Sequence, residues 1–99
     1  MPFENLVGLH VVDEDGYRKY REGMIPILTS FGGHFRYDFA VSDVLKGEAQ
    51  HPINRLFIIV FPDRATQARF YKDPAYLRVR EALYAPSVAA ATRLAEYDR

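Results

Sequence analysis

The clearest pattern along the chain is a run of six apolar residues, Leu56 to Phe61, closed by Pro62. Five of the six are Phe, Ile or Val, which favour the pleated backbone. Proline ends the run at strand length, so it reads as a central strand covered on both faces rather than a buried helix. Asp63 follows with the short carboxylate of an N-cap, and Ala65, Ala68 and Phe70 to Tyr71 supply a helical apolar face. Asp73-Pro74 restarts the helix, with Asp73 as a second N-cap and Pro74 at the first helical position, where its missing N–H costs nothing. Ala75, Tyr76, Val79, Ala82 and Leu83 continue the face as far as Pro86. The pattern predicts a strand and then a helix broken near Lys72.

The same reading places a first strand over Leu6 to Val12, with Val7, Leu9 and Val11 on one face and Leu6, Gly8, His10 and Val12 on the other. Asp13 to Gly16 carries helix-cap chemistry. Tyr17, Tyr20, Met24, Ile27 or Leu28, and Phe31 then form a helical stripe, with Arg18, Lys19, Arg21 and Glu22 beside or opposite it. Pro26 falls inside this helix and should bend it. Gly32-Gly33 ends it. His34 to Leu45 reads as a long second strand in which Phe35, Tyr37, Phe39 and Val41 share a dry face. Lys46 to Asn54 is a loop, and Ala89 to Tyr97 is the last strand.

The order strand, helix, strand, strand, helix, strand predicts an α+β fold: the ferredoxin-like βαββαβ plait, a four-stranded antiparallel sheet with two helices on one face. Right-handed crossovers put the first and third strands in the centre. The third strand is apolar on both faces and the first nearly so, interrupted by His10, and two helices cover only one face. The cheapest cover for the other face is a second copy of the chain, which makes a homodimer an expectation of the patterning.

Composition narrows the classes. Ninety-nine residues make a single domain, 1–99, and 48% apolar with 14% aromatic residues provide a core. With 13 basic and 13 acidic side chains the net charge is +0, so no basic excess draws the chain to nucleic acid or to a membrane surface. No apolar run approaches the roughly 18 residues of a membrane span. Met-Pro-Phe-Glu-Asn has no secretion-signal pattern, and the absence of cysteine fits a cytoplasmic protein without disulfides or thiolate chemistry.

Several blocks together carry a resemblance: Tyr17-x-x-Tyr20, Pro26, Gly32-Gly33-x-Phe35, Val44-Leu45-x-Gly47, Val60-Phe61-Pro62, and Phe70-Tyr71-x-Asp73-Pro74-x-Tyr76 with Arg80 beyond it. Over roughly Leu6 to Glu96 the chain resembles the DUF1330 family, small bacterial proteins with a dimeric α/β-barrel fold and no settled activity. The resemblance implies fold and dimerisation, and no particular function. The family's Arg-Gly-Gly-like turn is replaced here by Tyr37-Asp38-Phe39-Ala40-Val41-Ser42-Asp43, so no ligand contact is carried over from that arginine.

Candidate chemistry comes from few residues. His10 is a proton carrier by residue type, placed near the end of a central strand, or else a histidine satisfied at a dimer interface. Tyr17, Tyr20, Tyr71, Tyr76 and Tyr84 join apolar bodies to polar tips and can line a ligand pocket, or can serve simply as core. Arg55 and Arg80 have the planar fork that suits a carboxylate, or else make surface ion pairs, and Asp38 can orient His10 or an arginine. The expected pocket lies between sheet and helices, near His10, Tyr17, Tyr20, Tyr71, Tyr76 and Arg80. His10, His34 and His51 lack metal-ligand spacing. There is no phosphate loop, and Ser30, Ser42 and Ser87 lack a nucleophile elbow. The sequence thus points to a cofactor-free, metal-free homodimer that binds or transforms a small apolar oxygenated molecule, with a non-catalytic dimeric module as the alternative.

Overall fold

A computed structural model of the chain describes all 99 residues, Met1–Arg99. Strand β1 (Phe3–Val11) leads into helix α1 (Glu14–Ser30), then β2 (His34–Ala40) and β3 (Arg55–Phe61). The second helical segment is α2 (Arg64–Lys72), α3 (Pro74–Val79), a π-helical turn over Arg80–Tyr84 and a last short turn α4 (Ala85–Ser87), followed by β4 (Val88–Asp98). The sheet order is β2-β3-β1-β4 and every pairing is antiparallel. The helices cover one face, so the βαββαβ plait stands as expected, with β1 and β3 in the centre.

Caps written in the sequence set the helix boundaries. Asp13 accepts a hydrogen bond from the Gly16 amide at 3.0 Å, and Asp63 accepts from the Thr66 amide at 2.7 Å. Pro26 lies within α1 without ending it. Gly32, with φ of 77°, takes the left-handed conformation that closes the helix. The helix-side core is built from Leu9 and Val11 of β1, Phe57, Ile59 and Phe61 of β3, Tyr17, Tyr20, Met24 and Leu28 of α1, and Phe70 and Tyr76 of the second helical layer.

Three expectations are corrected. β2 ends at Ala40, not Leu45, and its alternation breaks at Arg36: Phe35 pairs with Ile59, yet Tyr37 pairs with the next residue, Ile58. One extra residue in a strand reverses the parity of everything after it. Phe35 therefore packs towards the helices against Phe57, while Tyr37 and Phe39 stack on the open face, 48% and 51% exposed. Secondly, the buried face of α2 is Thr66, Gln67 and Phe70 rather than Ala65 and Ala68. Gln67 is tolerated there because it exchanges hydrogen bonds with Asn5 at 3.3 and 3.5 Å. Thirdly, Arg21 is no flanking surface residue. It is only 7% exposed, with its guanidinium 3.5 Å from the Phe35 ring centre and paired to Asp38.

The loop 41–54 returns to the sheet end. Asn54 bonds both the amide and the carbonyl of Val11 at 2.8 Å. Ile53 lies over Gly8 so closely that a Cβ there would come within 2.8 Å of it.

β1 begins three residues before the expected start, which brings in Glu4. This carboxylate is wholly buried on the open face. It accepts hydrogen bonds from Tyr97 at 2.8 Å and Arg36 at 3.0 Å, and Arg99 lies 2.9 Å away. Burial pushes its pKa up, but the bonds from Tyr97 and Arg36 and the charges of Arg36 and Arg99 outweigh it and hold the pKa below the ordinary value of 4.5. The carboxylate ties β2 and β4 to β1 across the face. A depressed pKa adds stability that is present above the ordinary value and lost as pH falls through the lowered one. Glu4→Gln should therefore cost about 1–3 kcal/mol at neutral pH. The gap from the parent should close as urea unfolding is repeated at pH values below 4.5. A gap that stays constant with pH would show that the charge contributes nothing.

Candidate functional site

The two layers do not fill the space between them. A cavity of about 510 Å³ lies between the helix side of the sheet and the helices. Val7 and Leu9 of β1, Phe57 and Ile59 of β3 and Phe35 of β2 form its floor, and Tyr17, Tyr20 and Met24 of α1 form one wall. Tyr71, Tyr76, Arg80 and Tyr84 form the other wall, and Ala91 and Arg93 of β4 lie at the rim.

The break in the second helix builds that wall. Asp73 has φ −64° and ψ 128°, outside the helical region, and its side chain accepts from the Tyr76 amide at 3.0 Å. The restarted helix turns the Tyr76 ring inward onto Phe70, 4.3 Å between ring centres, with Tyr71 5.5 Å away. Across the cavity the hydroxyls of Tyr20 and Tyr76 are 2.8 Å apart. The π-helical turn then carries both Arg80 and Tyr84 to the cavity, and the Arg80 guanidinium lies 5.2 Å from the centre of the Tyr84 ring. Single π-turns of this kind recur at functional sites.

Burial sets the protonation of these phenols. It pushes Tyr17 up to about 12 and raises Tyr71, Tyr84 and Tyr20, the last further because of its bond to Tyr76. Burial raises Tyr76 as well, while the Tyr20 hydrogen bond and the Arg80 charge pull it back. Near neutral pH every hydroxyl is therefore a neutral donor or acceptor, and none is a tyrosinate base. Either hydroxyl of the Tyr20–Tyr76 pair can donate, and in both cases one phenol proton of the pair is free for another partner.

The structure gathers Tyr17, Tyr20, Tyr71, Tyr76 and Arg80 around one space. It leaves His10 out. Successive side chains of β1 point to opposite faces, and Leu9 lies in the core, so His10 projects to the open face beside Ala90. The expected single pocket holding His10 with the tyrosines does not form. Asp38 does not meet His10 either, since it pairs with Arg21 and Arg55. Arg93 and Phe35 were missed by sequence reasoning. Nothing in the alternation of β4 marks Arg93, and the bulge hides the orientation of Phe35. No group of three or more His, Asp or Glu side chains is placed to hold a metal ion. No helix is long and apolar enough to cross a membrane.

Fold and cavity define an antiparallel ferredoxin-like domain with a hollow under its helices. The chain belongs to the DUF1330 family, a domain of unknown function whose model matches residues 6–96. No curated protein matches it. Among solved structures it is similar to a protein of unknown function from Rhodopseudomonas palustris, with TM-score 0.78, 19% identity, and coverage of 99% of this chain and 82% of that one. A Dabb family protein with a ferredoxin-like fold from Mesorhizobium loti has TM-score 0.66, 16% identity, and coverage of 99% and 96%. A dimeric ferredoxin-like protein of unknown function from Thermobifida fusca has TM-score 0.63, 11% identity, and coverage of 100% and 92%. These likenesses establish the fold.

The Tyr20–Tyr76 bond gives a direct test of the wall. Tyr20→Phe and Tyr76→Phe should each cost about 1 kcal/mol, because each leaves one buried hydroxyl without its partner. The double variant should cost clearly less than the sum, a coupling that urea unfolding of the four proteins measures. Strict additivity would mean that the two hydroxyls do not share a bond.

Proposed function

We propose that the protein acts as a homodimer and binds a small, largely apolar molecule bearing an oxygen function in the cavity under its helices, with no cofactor. The cavity itself carries this reading. Well-packed interiors hold few voids larger than a water, whereas a space of about 510 Å³ lies in the range of roughly 300–1,000 Å³ typical of small-molecule sites. A purely structural module would have filled it. Its walls are mostly hydrophobic, and the Tyr20–Tyr76 pair, Tyr71 and Tyr84 offer neutral hydroxyls to a ligand oxygen.

The activity this supports is binding and orientation. His10 stands on the other face of the sheet, so no proton transfer in the cavity is assigned to it, and the phenols are too weakly acidic to serve as bases near neutral pH.

Support for the dimer comes from the open face. Leu6, Tyr37, Phe39, Leu56 and Ile58 line an apolar hollow of about 270 Å³ that no helix covers. A similarly folded protein is described as dimeric. A second copy on this face would cover Tyr37 and Phe39 while leaving the cavity and its rim to the ligand.

Two measurements test the two halves. Sedimentation equilibrium should give a dimer at micromolar concentration, and Tyr37→Glu combined with Phe39→Glu should give a folded monomer. Calorimetric titration with naphthylmethanol, an apolar probe with one hydroxyl, should show one site per chain, and Ala91→Trp at the rim should block it. A parent protein that binds no such probe would sink the binding reading, and a monomeric parent would sink the dimer.

A further inference from the structure

We infer that the ligand of this cavity is an apolar carboxylic acid, bound as its anion, with its body among the aromatic rings and its carboxylate at the mouth on Arg80. This rests on the cavity being a binding site, and adds the chemical class of what it takes. Twelve of the fourteen lining residues are hydrophobic, and the other two, Arg80 and Arg93, are both cations. No acidic side chain lines the space. A ligand amine would meet like charge there, and an uncharged ligand would leave the cationic rim unmatched.

The two arginines differ in availability. Arg93 already pairs with Glu96 at 2.9 Å. Arg80 makes no ion pair with any carboxylate of the chain. Its guanidinium is set against the Tyr84 ring and stands next to Tyr76 in the cavity wall. The Tyr76 hydroxyl is bonded to that of Tyr20, and whichever of the two donates, one phenol proton of the pair is left for another partner. A planar guanidinium fork with a phenol beside it offers the donors that two carboxylate oxygens require.

The polar cleft beneath the start of α1 is a useful contrast. It holds three arginines, Arg18, Arg21 and Arg55, but Asp15, Glu22, Asp38 and Glu14 are already paired to them. The protein answers its own charges at that end. At Arg80 it does not.

The test compares the naphthoate anion with naphthylmethanol, which share the same ring body and differ in the charge and oxygen count of the substituent, by calorimetric titration of the full chain at about pH 7, where a carboxylic acid is ionised. Naphthoate should bind about tenfold or more tightly than the alcohol. Arg80→Gln should bring naphthoate down to the affinity of the alcohol and leave the alcohol unchanged, and Arg80→Lys should restore part of the difference. Equal affinities in the parent, or a naphthoate preference that survives Arg80→Gln, would overturn the ligand class while the cavity reading stands. Loss of both ligands in Arg80→Gln would make Arg80 structural and overturn it too. Binding of neither probe to the parent would remove the cavity reading and this inference together.

Discussion

The contact on which the cavity depends is the one between the Asp73 carboxylate and the Tyr76 amide. Asp73 closes α2 and opens α3 in a single residue. Pro74 follows and cannot extend the first helix, because it has no amide to donate and its ring restricts the residue before it. An unbroken helix would carry Tyr76 round to a direction fixed by the spacing from Phe70. The restart lets both rings turn inward, with centres 4.3 Å apart, and brings the Tyr76 hydroxyl to Tyr20. Arg80 and Tyr84 follow from there, as the π-helical turn begins where α3 ends. A local cap and a proline thus decide the shape of a wall assembled from residues far apart in sequence.

Charge marks the edges of the apolar layers on both sides of the sheet. On the helix side, Asp38 is held between Arg21 and Arg55. Burial raises its pKa, but the hydrogen bond from Arg55 and the charge of Arg21 lower it further, so the net shift is downward. Arg21 is acceptable in the core because Asp38 and the Phe35 face both compensate its desolvation. On the open face, Glu4 plays the corresponding part with Arg36, Tyr97 and Arg99. Each buried charge has an opposite partner on a neighbouring element, which fixes how strands and helix meet as well as offsetting the cost of burial.

The elements that were legible in the sequence are those in which one local signal acts alone. The Leu56 to Phe61 run, the caps at Asp13, Asp63 and Asp73, and the tyrosine stripe of α1 each follow from periodicity or from one side chain reaching its nearest amide. The rest depended on long-range partners. The bulge at Arg36 has no local residue signature, yet it moves Tyr37 and Phe39 to the face opposite the one that simple alternation assigns. Arg21 has the composition of a surface residue and is buried because Phe35 and Asp38 are there to receive it. Gln67 displaces the alanines from the inner face of α2 because Asn5 waits across the layer. The π-helical turn, which gives the cavity Arg80 and Tyr84 together, is invisible to a 3.6-residue period. The tyrosines and Arg80 do line one space, whereas strand parity puts His10 on the other face of the sheet.

That parity is the last constraint and it divides the molecule. β3 is apolar on both faces and β1 nearly so, with Glu4 and His10 on its open side, but the two faces are used differently. The helix side leaves a hollow bordered by phenols and a free guanidinium. The other side presents aromatic rings and aliphatic side chains on a shallow surface, with His10 near its end and Glu4 at the other. A strand cannot serve both tasks with the same residues, since each side chain belongs to one face. Alternate positions of β1 therefore divide the work: Val7 and Leu9 shape the cavity floor, while Leu6 and His10 belong to the surface that a second copy would cover. Because the strands are shared, the rigidity of the cavity floor depends on the packing of the face behind it, and the central sheet is where the proposed assembly and the proposed binding would meet.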